Sequence, residues 1–168
     1  MATRKSKSKP NQLPTQVVGN IGLFYTCYEL SRRGLNVVPT SRNTRGVDLI
    51  VGSEDFSQQS SVQIKTSKIK MATFVGEKEK FPGRLDIRYK FQVADFWVFV
   101  LLHENGYSVN QTAVCNSSDY KLLEETPKHW LLSPWKHSKN ADPKTVKKWS
   151  QQKNENGWDL IVRELTPL

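Results

Sequence analysis

Cysteine is scarce in this chain: Cys27 and Cys115 are the only two, one in a helical stretch and one in a polar loop. Two thiols exclude a disulfide framework and a thiolate zinc cluster, and they fit a reducing compartment. Histidine is as sparse, and His103, His129 and His137 match neither HxH nor HExxH spacing, so no zinc site is expected. Long hydrophobic runs are missing too. The longest, Phe96 to Leu102, falls far short of the roughly 20 residues a membrane span needs. The N-terminus carries charge but no apolar core of the kind a signal peptide requires. The expectation is a soluble, cytoplasmic protein with no membrane partner. A phosphate-cradling glycine loop, a GxSxG elbow and a Cys–His signature are all absent, and no internal repeat is visible. Acid is in the minority, with 16 Asp and Glu against 25 Lys and Arg for a net charge of +9. Such a balance points to nucleic acid as the partner, ahead of an anionic membrane surface or an acidic protein.

What is present is enough for one core. A chain of 168 residues, 37% of them hydrophobic and five of them Trp, buries one hydrophobic centre and is short for two. Residues 1–15 carry Arg4, Lys5, Lys7 and Lys9 with no hydrophobic periodicity, which reads as a disordered basic arm. Residues 16–126 read as the core domain. Residues 127–168 interleave Trp130, Trp135 and Trp149 with lysines, as a basic, Trp-rich extension packed on that core. This mixture suits base stacking and backbone neutralisation, and equally a small packed unit with its lysines in solvent.

Along the core, Val17, Ile21, Phe24, Tyr25, Tyr28 and Leu30 recur at helical spacing, and Gly34 follows as a stop. Leu35 to Pro39 suits a short strand, and Val47–Val51 and Val62–Thr66 suit an antiparallel hairpin. Residues 67–90 read as a long excursion or irregular strands. The continuously apolar Ala94–Leu102 suits a central strand covered on both faces, with Tyr107–Val114 returning beside it after the Asn105–Gly106 turn. Asp119–Glu125 is expected as a short helix, a final helix from Asp142 to the stop at Asn156–Gly157, and Trp158–Leu165 as a last extended segment. The order indicates a mixed α/β or α+β domain around one sheet.

Alternation in the hairpin places Gln63 and Lys65 side by side on one face, with Asp48 across the ladder. Asp48, the Gln63 amide oxygen and the Ile64 backbone carbonyl are hard oxygen ligands suited to Mg²⁺, for which Mn²⁺ substitutes. Lys65 is then placed to orient or activate a water, or to stabilise charge on a phosphorane-like transition state. Arg42 and Arg45, in the loop before Asp48, lie where phosphate would be held, and Lys68 and Lys70 extend the positive edge. Lys147 and Lys148 supply basic contacts from the C-terminal extension.

Together, Gly19-xx-Gly22 opening a helix, Gly34, GVDLIV from Gly46 to Val51, VQIKTSK from Val62 to Lys68 and DFWVFVLL from Asp95 to Leu102 resemble the PD-(D/E)XK nuclease superfamily. They are most similar to a small prokaryotic branch whose third motif reads VQVKT. The resemblance spans roughly residues 17–114. It implies a restriction-endonuclease-like core, an αβββαβ arrangement with a mixed central sheet flanked by helices, and Mg²⁺-dependent hydrolysis of DNA phosphodiester bonds. The motif carboxylate falls on Asp48, the (D/E) position on Gln63 and the motif lysine on Lys65. The helical acid of the family falls at Leu23 in this chain, which leaves Glu29 as the only carboxylate in the helix. Glu29 either replaces that acid from another turn or pairs with Arg32 or Arg33. With Gln63 and Leu23 where acids are usual, the alternative is an inactive nuclease fold that binds nucleic acid or serves as an accessory subunit. Assembly into a homo-oligomer is left open by the sequence.

Overall fold

The computed structural model describes residues 13–41, 46–69, 73–77, 94–104, 106–116, 123–125, 129–132 and 155–166. Helix α1 runs Thr15–Ser31 and ends on the paired bonds of a Schellman turn, Leu35 N–H to Leu30 O (3.3 Å) and Gly34 N–H to Ser31 O (3.0 Å). That turn needs a left-handed residue, and Gly34 supplies it at φ 84°. The stop expected at Gly34 is therefore found.

Strands β1 (Asn36–Pro39), β2 (Leu49–Gly52), β3 (Gln59–Ser67), β5 (Phe96–Leu102) and β6 (Val109–Asn116) form one sheet in the order β1-β2-β3-β5-β6. The β1/β2, β2/β3 and β5/β6 pairs are antiparallel and β3/β5 is parallel, so the sheet is mixed. The expected hairpin is β2/β3. The expected central strand is β5, with all seven of its residues buried. Gly106, at φ 76°, makes the turn into β6. A smaller sheet, in the order β4-β8-β7, joins β4 (Thr73–Glu77), inside the 67–90 excursion, to β8 (His129–Leu132) and β7 (Leu123–Glu125). The second helix, α2, spans Glu155–Leu165.

One face of the main sheet holds the core. Val18 and Leu30 of α1, Leu49, Val51, Val62, Ile64, Phe96, Val98 and Val100 of the strands, and Trp158, Ile161 and Leu165 of α2 form a single buried cluster. The helix packs tightly there, because a Cβ at Gly22 would collide with the Thr66 hydroxyl. On the other face Trp97, Phe99, Leu101, Ala113 and Cys115 are buried as well. The mixed α+β fold is the one expected.

Two local expectations are corrected. Trp158–Leu165 is helical, not extended, and Asn156–Gly157 lies in the first turn of α2 instead of ending a helix. The buried residues 158, 161 and 165 have helical spacing, whereas alternation would have turned Glu164 inward with Trp158. Leu123–Glu125 is a strand, because its backbone pairs antiparallel with β8, the next strand in the chain, and that pairing overrides the local helical signal. The helix expected from Asp142, and residues 119–122 of the short one, lie outside the described residues.

Candidate active site

The β2/β3 ladder begins at Leu49 opposite Val62, and one step further the two strands separate. Asp48 sits at that fork. Its N–H donates to Val62 O (2.8 Å), and its carbonyl accepts from Thr40 N–H (3.0 Å) at the end of β1. The Thr40 hydroxyl donates to Val47 O (2.6 Å), so the backbone holding Asp48 is pinned on both sides.

Beyond the fork, β3 has lost its β2 partner and Ile64 presents N–H and C=O to the gap, since a strand residue projects both groups to one side. The Asp48 carboxylate fills the place of the missing strand. Its Oδ2 accepts from Ile64 N–H (2.7 Å) and from the Gln63 side-chain amide. Among the described residues no donor reaches the second carboxylate oxygen. The Ile64 carbonyl, approached only at 3.5 Å by the Gln63 amide, opens on the same gap. Gln63 is buried and Asp48 half-buried, so the group lies in a notch in the sheet, not on an open surface.

Lys65 follows two residues along the same face, where the β3/β5 register sets Gln63 beside Trp97 and Lys65 beside Phe99. Its ammonium stands 5.7 Å from the centroid of the Trp97 ring, a cation–π contact, and that ring stacks on Phe99 at 6.2 Å. Trp97 is a residue that sequence reasoning missed, because within a continuously apolar run nothing marks which residues share a face with Lys65. Asp95 was also not singled out. Its Oδ2 accepts from the Ser61 N–H and hydroxyl, both at 2.7 Å, and ties the start of β5 to β3 one step below Gln63.

Apart from Glu29, the sequence-expected residues thus divide into three groups. Asp48, Gln63, Ile64 and Lys65 come together. Lys68 lies beyond the end of β3 and, with His103, Glu104 and Asn110, lines a cavity of about 580 Å³ at the carboxyl ends of β3 and β5. Arg42, Arg45, Lys70, Lys147 and Lys148 lie outside the described residues.

Glu29 goes elsewhere. Its carboxylate accepts from Arg32 Nε (2.9 Å) and from Arg33, whose guanidinium also donates to the Glu29 carbonyl (2.8 Å) and stands 5.5 Å over the ring of Trp158. No hydrogen bond links Glu29 to Asp48, Gln63 or Lys65. Burial pushes its carboxyl upward, and the hydrogen bonds and charges of Arg33 and Arg32 outweigh that, leaving it below the usual carboxylate range. Of the two roles expected for Glu29, the ion pair is the one formed; it lies at the C-terminal end of α1, and the Arg33 guanidinium carries the contact on to Trp158 of α2.

A divalent cation fits the notch on donor chemistry. Asp48 offers a carboxylate oxygen with no donor of its own among the described residues, and the Ile64 carbonyl is a second hard oxygen. Gln63 can add its amide oxygen only by turning the amide, because its NH₂ now faces Asp48. Among the described residues no group of three or more His, Cys, Asp or Glu comes together, so Asp48 supplies the charge of this set.

The architecture that carries this notch is a five-stranded mixed sheet with two helices on its core face. Among solved structures it is similar to that of a bacterial homing endonuclease, I-Ssp6803I, at a TM-score of 0.55 and 14% sequence identity. The match covers 90% of this chain and 95% of that chain. No family model matches the sequence, and no curated protein matches it. Among the described residues no helix is long and apolar enough to cross a membrane.

Proposed function

We propose that the protein is a metal-dependent endonuclease that hydrolyses phosphodiester bonds in DNA. The observation that carries this reading is the fork between β2 and β3, where one carboxylate, one backbone carbonyl and one amide meet beside a lysine on the same strand. Asp48, the Ile64 carbonyl and the Gln63 amide oxygen would hold Mg²⁺, or Mn²⁺ in its place. When bound, the ion supplies Lewis-acid polarisation of a phosphate oxygen and lowers the pKa of a coordinated water.

This chain's own residues do the remainder. Lys65 presents its ammonium to the phosphate and offsets the charge that grows on the non-bridging oxygens. The ring of Trp97 beneath it restricts where that ammonium can go without quenching its charge, as a carboxylate partner would. Asp95 and Ser61 hold β5 in register with β3, which keeps Trp97 under Lys65. Lys68, together with Arg42, Arg45, Lys70, Lys147 and Lys148, supplies positive charge for the backbone of the nucleic acid, in keeping with the net charge of +9.

Supercoiled plasmid incubated with Mg²⁺ or Mn²⁺ tests the proposal directly. Wild type is expected to nick, and Asp48→Ala and Lys65→Ala to lose about 100-fold or more in rate, the scale at which one aimed electrostatic group acts. Equal nicking by all three proteins, or none by wild type on DNA or RNA, contradicts it. A second reading, a silent nuclease fold that binds nucleic acid, is favoured by one observation: the Gln63 NH₂ occupies the carboxylate that a cation would need. It predicts salt-sensitive binding with no cleavage in the same assay.

A further inference from the structure

Helix α1 is apolar on two sides. Its inner side, Val18, Gly22, Thr26, Glu29 and Leu30, is buried against the sheet and α2. On another side Val17, Phe24 and Tyr28 are 38%, 65% and 62% exposed, with Ile21, which is partly buried and also packs against the core cluster, between them. These four are spaced 4, 3 and 4 residues apart, which at 3.6 residues per turn keeps them within about 60° of one another. That is the seam spacing of a helix packed on another helix. A helix that is apolar all round is ordinarily a covered one.

We infer that this stripe is the self-association surface of the protein, and that its occupant is α1 of a second copy. Charge decides against the other classes of occupant. From Thr15 to Tyr28 the helix has no charged residue, on a chain whose net charge is +9. A polyanion or an anionic membrane has nothing to hold here. Two copies of a basic protein repel across most of their surfaces, whereas this face lets them approach without bringing like charges together.

Shape sets the direction of the pairing. Side-chain size grows along the stripe from Val17 and Ile21 to Phe24 and Tyr28. An antiparallel, two-fold arrangement sets Phe24 of one copy on Ile21 of the other and Tyr28 on Val17, so each layer joins a large side chain to a smaller one. A parallel arrangement would stack ring on ring at one end and leave gaps at the other. Each aromatic side chain, about two-thirds exposed, offers roughly 100–150 Å². With its neighbours, the stripe on two copies reaches on the order of 1,000 Å², the lower limit for a specific interface.

Sedimentation equilibrium of the full chain over a wide concentration range tests this without reference to catalysis. Wild type is expected to rise from 19.3 kDa towards twice that mass as concentration increases. Phe24→Asp, at an exposed position, is expected to keep its circular dichroism and remain at the monomer mass throughout. Val17→Glu and Tyr28→Lys are each expected to dimerise more weakly than wild type, and their mixture to recover a heterodimer through the new Glu–Lys layer. A wild type that stays monomeric at every concentration overturns the inference and assigns the face to a different protein. So does a Phe24→Asp variant that dimerises as tightly as wild type. A mixture no tighter than its separate components overturns the antiparallel register.

Discussion

Asp48 and Gln63 face each other because a strand turns alternate residues to one side, and that much is readable from GVDLIV and VQIKTSK. The fork is not readable. It depends on β2 leaving the ladder one residue beyond Leu49, after which the Asp48 carboxylate takes the Ile64 N–H that a strand would have bonded. The Gln63 amide matters for the same reason, since it donates to Asp48 instead of turning its oxygen to a ligand. Gln63→Glu replaces that donor with a second negative charge. Without metal the two carboxylates repel, so thermal melting is expected below wild type; saturating Mg²⁺ is expected to raise the variant's melting temperature more than wild type's. Equal Mg²⁺ shifts in the two proteins contradict the assignment of these residues as ligands.

Glu29 is a residue-scale matter of a different kind. Its carboxyl is held below its ordinary value of 4.5, so the stabilisation it supplies is complete above that value and is lost as pH falls through the lower folded-state value. Glu29→Gln leaves Arg33, also largely buried, without its counter-charge, and is expected to cost about 3 kcal/mol in urea unfolding at neutral pH. The gap between variant and wild type should narrow as the pH drops below the ordinary carboxylate value. A gap unchanged across that range would show that the carboxylate charge is not what is lost.

At the scale of elements, α1, the β2/β3 hairpin, β5 and its return strand were legible because each has one strong local signal. These are a helical period closed by Gly34, clean alternation, a continuous β-rich run, and an Asn-Gly turn. The eight residues WDLIVREL carry two signals at once, branched residues that suit a strand and the 158, 161, 165 spacing of a helix. Packing of that helical face onto the core decides between them. Strand β7 carried a local helical signal, and its antiparallel pairing with the next strand, β8, overrides that signal.

Two glycines of α1 separate helix propensity from packing. Gly19 has open space around it, so Gly19→Ala is expected to stabilise by roughly 0.5–1 kcal/mol through the unfolded chain and the helix. A methyl at Gly22 meets the Thr66 side chain, and Gly22→Ala is expected to destabilise by about 1–3 kcal/mol despite the same gain in propensity. Chemical denaturation of both variants checks the opposite signs. Two stabilised variants would mean that α1 does not approach β3 so closely.

For the whole molecule, charge and topology have separate tasks. On the proposed function, the net charge of +9 draws nucleic acid to the surface without reading it, whereas the parallel β3/β5 pair inside an otherwise antiparallel sheet sets Lys65 beside the fork at Asp48. The basic balance and the α+β character were legible in composition and pattern, whereas the mixed sheet was expected only from the resemblance of the motifs to a known superfamily. The Glu29 ion pair was legible only as one of two roles, because the Trp158 ring over which its partner Arg33 lies is 129 residues further along the chain than Glu29. The account stands or falls on whether the fork binds a cation. Crystals soaked in Mn²⁺ and measured at the manganese edge are predicted to show an anomalous peak between the Asp48 carboxylate and the Ile64 carbonyl, lost in Asp48→Ala. Manganese bound elsewhere in wild-type crystals, with no peak at the fork, would contradict it.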